Sequence, residues 1–80
     1  MKAYVLIETA AGKTKQVKKA LSKVKGTRAS VSAMDAVTGP YDVVVLTEAR
    51  SVDELGKMIV SKVQLVPGIT RTLTCSVVHL

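Results

Sequence analysis

An α+β fold with the element order β-α-β-β-α-β is predicted by three features of this 80-residue chain. Short apolar, β-branched runs stand at Ala3-Tyr4-Val5-Leu6-Ile7 and Val43-Val44-Val45-Leu46, as central strands require. Two stretches instead carry apolar residues at helical spacing: Val17, Ala20, Leu21 and Val24, then Leu55, Ile59 and Val63. The densest cluster of turn residues, Val37-Thr38-Gly39-Pro40-Tyr41-Asp42, separates two strand-like runs and suits a hairpin. A ferredoxin-like, split βαβ arrangement of these elements gives an antiparallel sheet in the order 4-1-3-2, with both helices on one face.

The elements follow in order. Lys2 to Thr9 is a strand apolar on both pleat faces, and Ala10-Ala11-Gly12 is a loop. The first helix turns Val17, Ala20, Leu21 and Val24 to one side, leaves Lys15, Lys18, Lys19, Lys23 and Lys25 mainly on the others, and stops at Gly26. Ser30 to Val37 alternates weakly, with Val31, Ala33 and Asp35 facing one way and Ser32, Met34 and Ala36 the other, as in an edge strand. Asp42 to Glu48 is a second strand apolar on both faces. Ser51-Val52-Asp53-Glu54 is a capping box. The helix it opens carries Val52, Leu55, Ile59 and Val63 on one face, with Met58 and Val60 beside it. Gly56 within that helix costs about 1 kcal/mol relative to Ala, which close packing would explain. After the Gln64–Gly68 loop, Ile69 to Val78 alternates clearly. Ile69, Arg71, Leu73, Cys75 and Val77 lie on one face; Thr70, Thr72, Thr74, Ser76 and Val78 lie on the other. This topology gathers Ala10–Gly12, the Gly39 hairpin and the Pro67-Gly68 loop at one end of the sheet.

Residues 1–80 make one domain, and a domain this small is marginal by itself. Cys75 alone forms no intrachain disulfide, and with His79 alone it makes no metal cluster, so neither metal nor cofactor is expected. Oligomerisation is the remedy left. The central strands point the same way: two helices cover one sheet face, yet Tyr4–Ile7 and Val43–Leu46 are apolar on both. An exposed apolar sheet face is rare in soluble monomers, so two sheets are expected to pack face to face in a dimer. No signal peptide and no apolar run near the ~20 residues of a membrane span is found, and the expectation is a soluble, cytoplasmic protein with no membrane partner.

Net charge is +6. The excess sits in the Lys13–Lys25 segment; from Ala29 onward, Arg50, Lys57, Lys62 and Arg71 are nearly matched by Asp35, Asp42, Glu48, Asp53 and Glu54. A lysine-rich helix face is most simply a solvated one. With Phe and Trp absent and only Tyr4 and Tyr41 aromatic, there is no platform for stacking bases.

The β-α-β-β-α-β order, Val37-Thr38-Gly39-Pro40-Tyr41-Asp42 running into an apolar strand, and Val66-Pro67-Gly68-Ile69-Thr70-Arg71-Thr72-Leu73-Thr74 together resemble the effector domain of the Lrp/AsnC regulators, the regulation-of-amino-acid-metabolism domain. The resemblance covers essentially the whole chain. It implies a dimeric α+β barrel assembling into tetramers, octamers or larger rings, with amino-acid effectors bound between dimers near the hairpin loop. Gly39, Pro40, Tyr41 and Asp42 are the ligand-binding candidates it carries over, joined by Thr72 and Thr74 of the last strand, contributed by a neighbouring subunit. Pro40 departs from the pattern by lacking an N–H to offer a ligand. Family members carry an N-terminal helix-turn-helix, whereas this sequence starts at the first effector-domain strand. A stand-alone module is therefore expected, without direct sequence-specific DNA binding and with a full-length Lrp/AsnC regulator as a further partner.

Chemically, the loop offers backbone amides for an α-carboxylate and Asp42 for an α-ammonium group. The bland alternative is a hairpin whose Asp bonds its own backbone. Cys75 shares the Leu73 face and reads as a small buried apolar residue. Asp35 and Asp42 flank the hairpin, but nothing completes an acid–base site. The expected function is thus a non-catalytic, homo-oligomeric amino-acid-binding module that modulates transcription through partner regulators. The alternatives are a small dimeric α+β-barrel enzyme, monooxygenase- or isomerase-like, or a purely structural assembly partner.

Overall fold

The structure, a computed structural model, describes residues 1–24 and 29–80. Gly26, the expected stop of the first helix, lies outside the described residues, but that α-helix already ends at Leu21 with Ser22 as its C-cap, short of the expected Val24. The elements are β1 (Lys2–Thr9), α1 (Thr14–Leu21), β2 (Ala29–Ala36), β3 (Val43–Ala49), α2 (Val52–Met58) continued by a π-helical turn (Ile59–Val63), and β4 (Ile69–Ser76). The four strands form one antiparallel sheet in the order β2-β3-β1-β4, which is the predicted 4-1-3-2 order read from the other edge.

Register assigns the two sheet faces. Ala3, Val5 and Ile7 of β1 sit opposite Thr47, Val45 and Val43 of β3. These side chains are buried beneath the helices with Val17 and Leu21 of α1 and Leu55, Met58, Ile59 and Val63 of the second helical segment. Thr47 is the polar member of this layer, and its hydroxyl donates to the Ala3 carbonyl at 2.9 Å, so no buried side-chain polar atom among the described residues is left unpaired. The other face holds Tyr4, Leu6, Val44 and Leu46 at the centre, with Leu73 and Cys75 on β4, and no described element covers it.

Two bulges break the simple alternation of the edge strands. In β2, the register shifts between Val31 and Ala33, so Ser32 is the extra residue and Val31 and Met34 both pack on the helix-side core. The predicted split of Val31 from Met34 is therefore corrected. In β4, Arg71 pairs with Glu8 but Ile69 pairs with Thr9, so Thr70 is the extra residue. Ile69 packs on the helix-side core while Arg71 stays on the open face, although strict alternation put them together. Each bulge keeps an apolar side chain in the core at the cost of one regular ladder position.

The second helix begins with the N-cap half of the expected capping box: Ser51 Oγ accepts from the Glu54 N–H at 3.2 Å, while Glu54 Oε1 lies 3.8 Å from Lys57 Nζ. Its buried face is Leu55, Met58, Ile59 and Val63; the predicted Val52 is 67% exposed because it precedes the turn that reaches the sheet. At about 100° per residue, an α-helix would carry Lys62 to the centre of that face. The π turn inserts one residue, closed by Gln64 N–H donating to Ile59 C=O at 2.8 Å, and rotates Val63 into the core instead. Gly56 has no atom within 4 Å of a Cβ placed on it, so close packing does not explain it. Gly68 is different: its φ is +99° and a Cβ there would lie 3.0 Å from Val17 Cγ2.

Candidate functional site: the hairpin end of the sheet

The β2–β3 hairpin is closed by Val37 N–H donating to Asp42 C=O and fastened to β1 by Asp42 N–H donating to Ile7 C=O, both at 2.9 Å. Gly39 at its tip has a φ of +133°, which side chains rarely adopt, and its Cβ position is open space. Gly39 and Pro40 are exposed, while Tyr41 and Asp42 are half-buried against the sheet end. The loop thus turns on a glycine that nothing crowds, and its next two side chains fold back onto the protein.

Asp42 makes the strongest local contacts. Its Oδ2 accepts from the Thr9 backbone N–H at 2.7 Å and from the Thr9 hydroxyl at 3.1 Å. The Thr9 hydroxyl lies 2.7 Å from that of Thr14, in the first turn of α1. Asp42 therefore ties the hairpin to the β1–α1 connection rather than capping its own turn. The neighbouring Ala10 N–H donates to Gly68 C=O at 2.8 Å, which brings the third loop to the same end, as predicted.

Tyr41 meets β4 through a residue that sequence reasoning did not nominate. Arg71 Nη2 donates to the Tyr41 hydroxyl at 3.1 Å, and the guanidinium carbon stands 5.2 Å from the ring centroid, a cation–π contact. Arg71 is also 3.8 Å from Glu8 Oε2, and Thr70 donates its hydroxyl to Glu8 Oε1 at 2.8 Å. Glu8 and Thr9 were likewise missed. The available signal was Arg71 itself, a long cation interrupting the apolar Ile69/Leu73/Val77 alternation inside the Pro67–Thr74 motif. The end of the sheet consequently presents two neighbouring groupings, the Arg71 guanidinium with the Tyr41 phenol and the Glu8 carboxylate, and the Asp42 carboxylate with Thr9 and Thr14.

Thr72 and Thr74 stand elsewhere. They pair with Ile7 and Val5 and so belong to the helix side of the sheet. Thr72 accepts from Gln64 Nε2 at 3.4 Å, a long and weak bond. Thr74, with Ser76, lines an open groove of about 260 Å³ against Val52, Leu55, Gly56, Ile59 and Val60. Within one chain these threonines do not contact the Gly39–Asp42 loop. Cys75 is an exposed free thiol on the open face, which corrects its expected burial: among the described residues of one chain nothing packs over that face. Among the described residues, no group of three or more His, Cys, Asp or Glu side chains is placed to hold a metal ion, and no helix is long and apolar enough to cross a membrane.

With that geometry in place, comparison with known proteins is decisive for the family. The Lrp/AsnC ligand binding domain matches residues 2–79. This chain belongs to the Lrp/AsnC ligand-binding domain family. Among solved structures, FFRP-DM1 is 32% identical, with 91% of this chain and 92% of that one covered and a TM-score of 0.79. A protein of Thermus thermophilus is 26% identical, with 99% and 94% covered and a TM-score of 0.86. A transcriptional regulator of Neisseria meningitidis, solved in complex with L-Met, shares the fold at 12% identity and a TM-score of 0.80; 98% of this chain spans 49% of that one. No curated protein sequence matches this chain. The family is one of ligand-sensing regulatory domains, and membership fixes that coarse role here.

Proposed function

We propose that this chain is a non-catalytic sensor of a small amino acid, bound at the hairpin end of the sheet where a second subunit completes the site. The observation that carries this is the composition of the cluster. An amino acid is a zwitterion, and it needs a fixed cation and a fixed anion a few ångströms apart. Arg71 beside Glu8, with Tyr41 and Asp42 adjoining, supplies both signs at one sheet end. Gly39 and Pro40 shape the exposed loop above it, with Gly39 free to approach a ligand closely. Thr72 and Thr74, remote from the loop of their own chain, would act from a neighbouring subunit.

The uncovered sheet face supports a homodimer as the first level of assembly, with tetramers, octamers or larger rings built from it. Tyr4 is 45% and Leu73 47% exposed on that face, large apolar surface that a second sheet would cover. Ligand bound between dimers favours whichever assembly it contacts better, and so shifts oligomer populations. A full-length Lrp/AsnC regulator sharing these surfaces is the proposed route to transcription. The likeness to a regulator solved with L-Met supports an amino acid as the class of effector.

Calorimetric titration with each common amino acid tests this directly. At least one is expected to bind and to change the oligomer distribution, and Gly39→Val is expected to abolish both while leaving the dimer. An absence of binding by every amino acid at millimolar concentration would leave a purely structural assembly partner as the better description.

A further inference from the structure

We propose that the outer face of α1 is a sequence-independent binding surface for the phosphate backbone of double-stranded nucleic acid. The observation is a segregation of charge by layer. Lys13, Lys15, Lys18, Lys19 and Lys23 on and around α1, with Lys57 and Lys62 on the second helical segment, face only Asp53 and Glu54 in the helix layer. The open sheet face carries Lys2 and Arg71 against Glu8, Asp35 and Glu48, so its charges nearly cancel. The positive excess of the described residues therefore lies on the side away from the sheet surface, where a second subunit would leave it in solvent.

Local balance sharpens the point. The ion pairs among the described residues are Lys2–Glu48, Lys57–Glu54 and Arg71–Glu8; none uses a lysine of α1. No acidic residue stands in the first turn of α1. At about 100° per residue, Lys15 and Lys19 fall on the half of the helix away from the buried Val17 and Leu21, and Lys18 stands on its flank. Five exposed ammonium groups on this short stretch repel one another, and a dense polyanion relieves that repulsion.

The chemistry of the face selects among polyanions. Its apolar side chains, Val17 and Leu21, are fully buried in the core, so nothing on α1 remains to enter a bilayer. Gln16 and Ser22 are the other exposed side chains of the stretch, so there is no aromatic group to stack on unpaired bases. What remains is a row of point charges, which suits the regular phosphates of a duplex and reads no sequence.

Fluorescence anisotropy of a labelled 24-base-pair duplex, with the intact chain at rising salt, tests the proposal. Two duplexes of unrelated sequence are expected to bind equally. Three lysine–phosphate contacts give a slope of about −2.7 in log K against log salt, a loss of roughly 20-fold between 50 and 150 mM. The triple variant Lys15→Gln/Lys18→Gln/Lys19→Gln is expected to lose at least tenfold in affinity with an unchanged circular dichroism spectrum. Lys19→Gln alone should reduce the slope by about 0.9, which keeps the test valid if the triple variant misfolds. Lys2→Gln, on the other sheet face, should bind as the parent does. Absence of duplex binding at 50 mM salt, equal binding by parent and Lys19→Gln, or binding to vesicles of 30% anionic phospholipid without binding to the duplex would each overturn the proposal.

Discussion

Asp42 has a structural task whether or not a ligand reaches it. Its carboxylate accepts a backbone N–H and a hydroxyl from Thr9, across a sequence separation of 33. Hydrogen bonds to a charged group are each worth about 1.5–3 kcal/mol, less where solvent competes as it does at this half-buried site. Asp42→Ala is therefore expected to lower unfolding free energy by about 1–3 kcal/mol in a urea titration, alongside any effect on amino-acid binding. An unchanged urea midpoint would mean that the Thr9 contacts contribute nothing, and Asp42 would then be free to serve a ligand alone. Gly68 gives a second residue-scale test. Its positive φ is strained for any side chain, and a methyl group there would crowd Val17 Cγ2 at 3.0 Å and Lys13 Cβ at 3.1 Å. Gly68→Ala should destabilise the fold by more than about 1 kcal/mol, the scale of a forced backbone conformation. Gly56→Ala, at an exposed helix position with open space, should stabilise it by about 0.5–1 kcal/mol. The opposite signs of two glycine-to-alanine changes, read as shifts in urea midpoint, separate packing from helix propensity.

At the scale of the element, burial decides phase wherever periodicity and packing disagree. The order of strands and helices was legible because the continuous β-branched apolar runs of β1 and β3 differ plainly from the period-3.6 pattern of α1. The bulges at Ser32 and Thr70 were not legible, because each arises from keeping Met34 or Ile69 in a core that only the assembled sheet defines. The π turn has the same origin: it brings Val63 rather than Lys62 inward. The candidate site was half legible for a related reason. Gly39 to Asp42 announce a turn locally, whereas Glu8, Thr9 and Arg71 join it only through cross-strand register. Sequence alternation also set Thr72 and Thr74 on one face correctly, but could not tell that this is the helix side. Deleting one residue from the π turn offers a test. Without Ser61, the segment should become α-helical but place Val63 one position earlier on the same inward phase. The deletion variant is expected to retain its fold and lie within about 1 kcal/mol of the parent, since propensity and buried area are preserved. Loss of cooperative unfolding on deletion would show that the wider turn itself is needed for packing.

At the scale of the whole molecule, one sheet carries two different surfaces. The helix side is closed by Val17, Leu21, Leu55, Met58, Ile59 and Val63, and its outer skin is basic. The other side is a nearly charge-balanced apolar sheet with Tyr4, Leu6, Val44, Leu46, Leu73 and Cys75. A chain of this size buries too little surface to be robust by itself, so covering that sheet is where additional stability is available. Leu46 sits near the middle of the open face, between Tyr4 on β1 and Ala33 on β2. Leu46→Lys places a charge at the centre of the proposed sheet-to-sheet contact while leaving the helix-side core untouched. Light scattering at micromolar concentration is expected to give a dimer or a multiple of it for the parent, and a monomer for Leu46→Lys. The variant's thermal midpoint should also cease to depend on protein concentration, because mass action no longer links folding to assembly. A parent chain that is a monodisperse monomer would refute the sheet-to-sheet dimer. A Leu46→Lys chain that keeps the parent's mass would move the interface to another surface, and the basic helix face would then have to be considered as partly buried between copies.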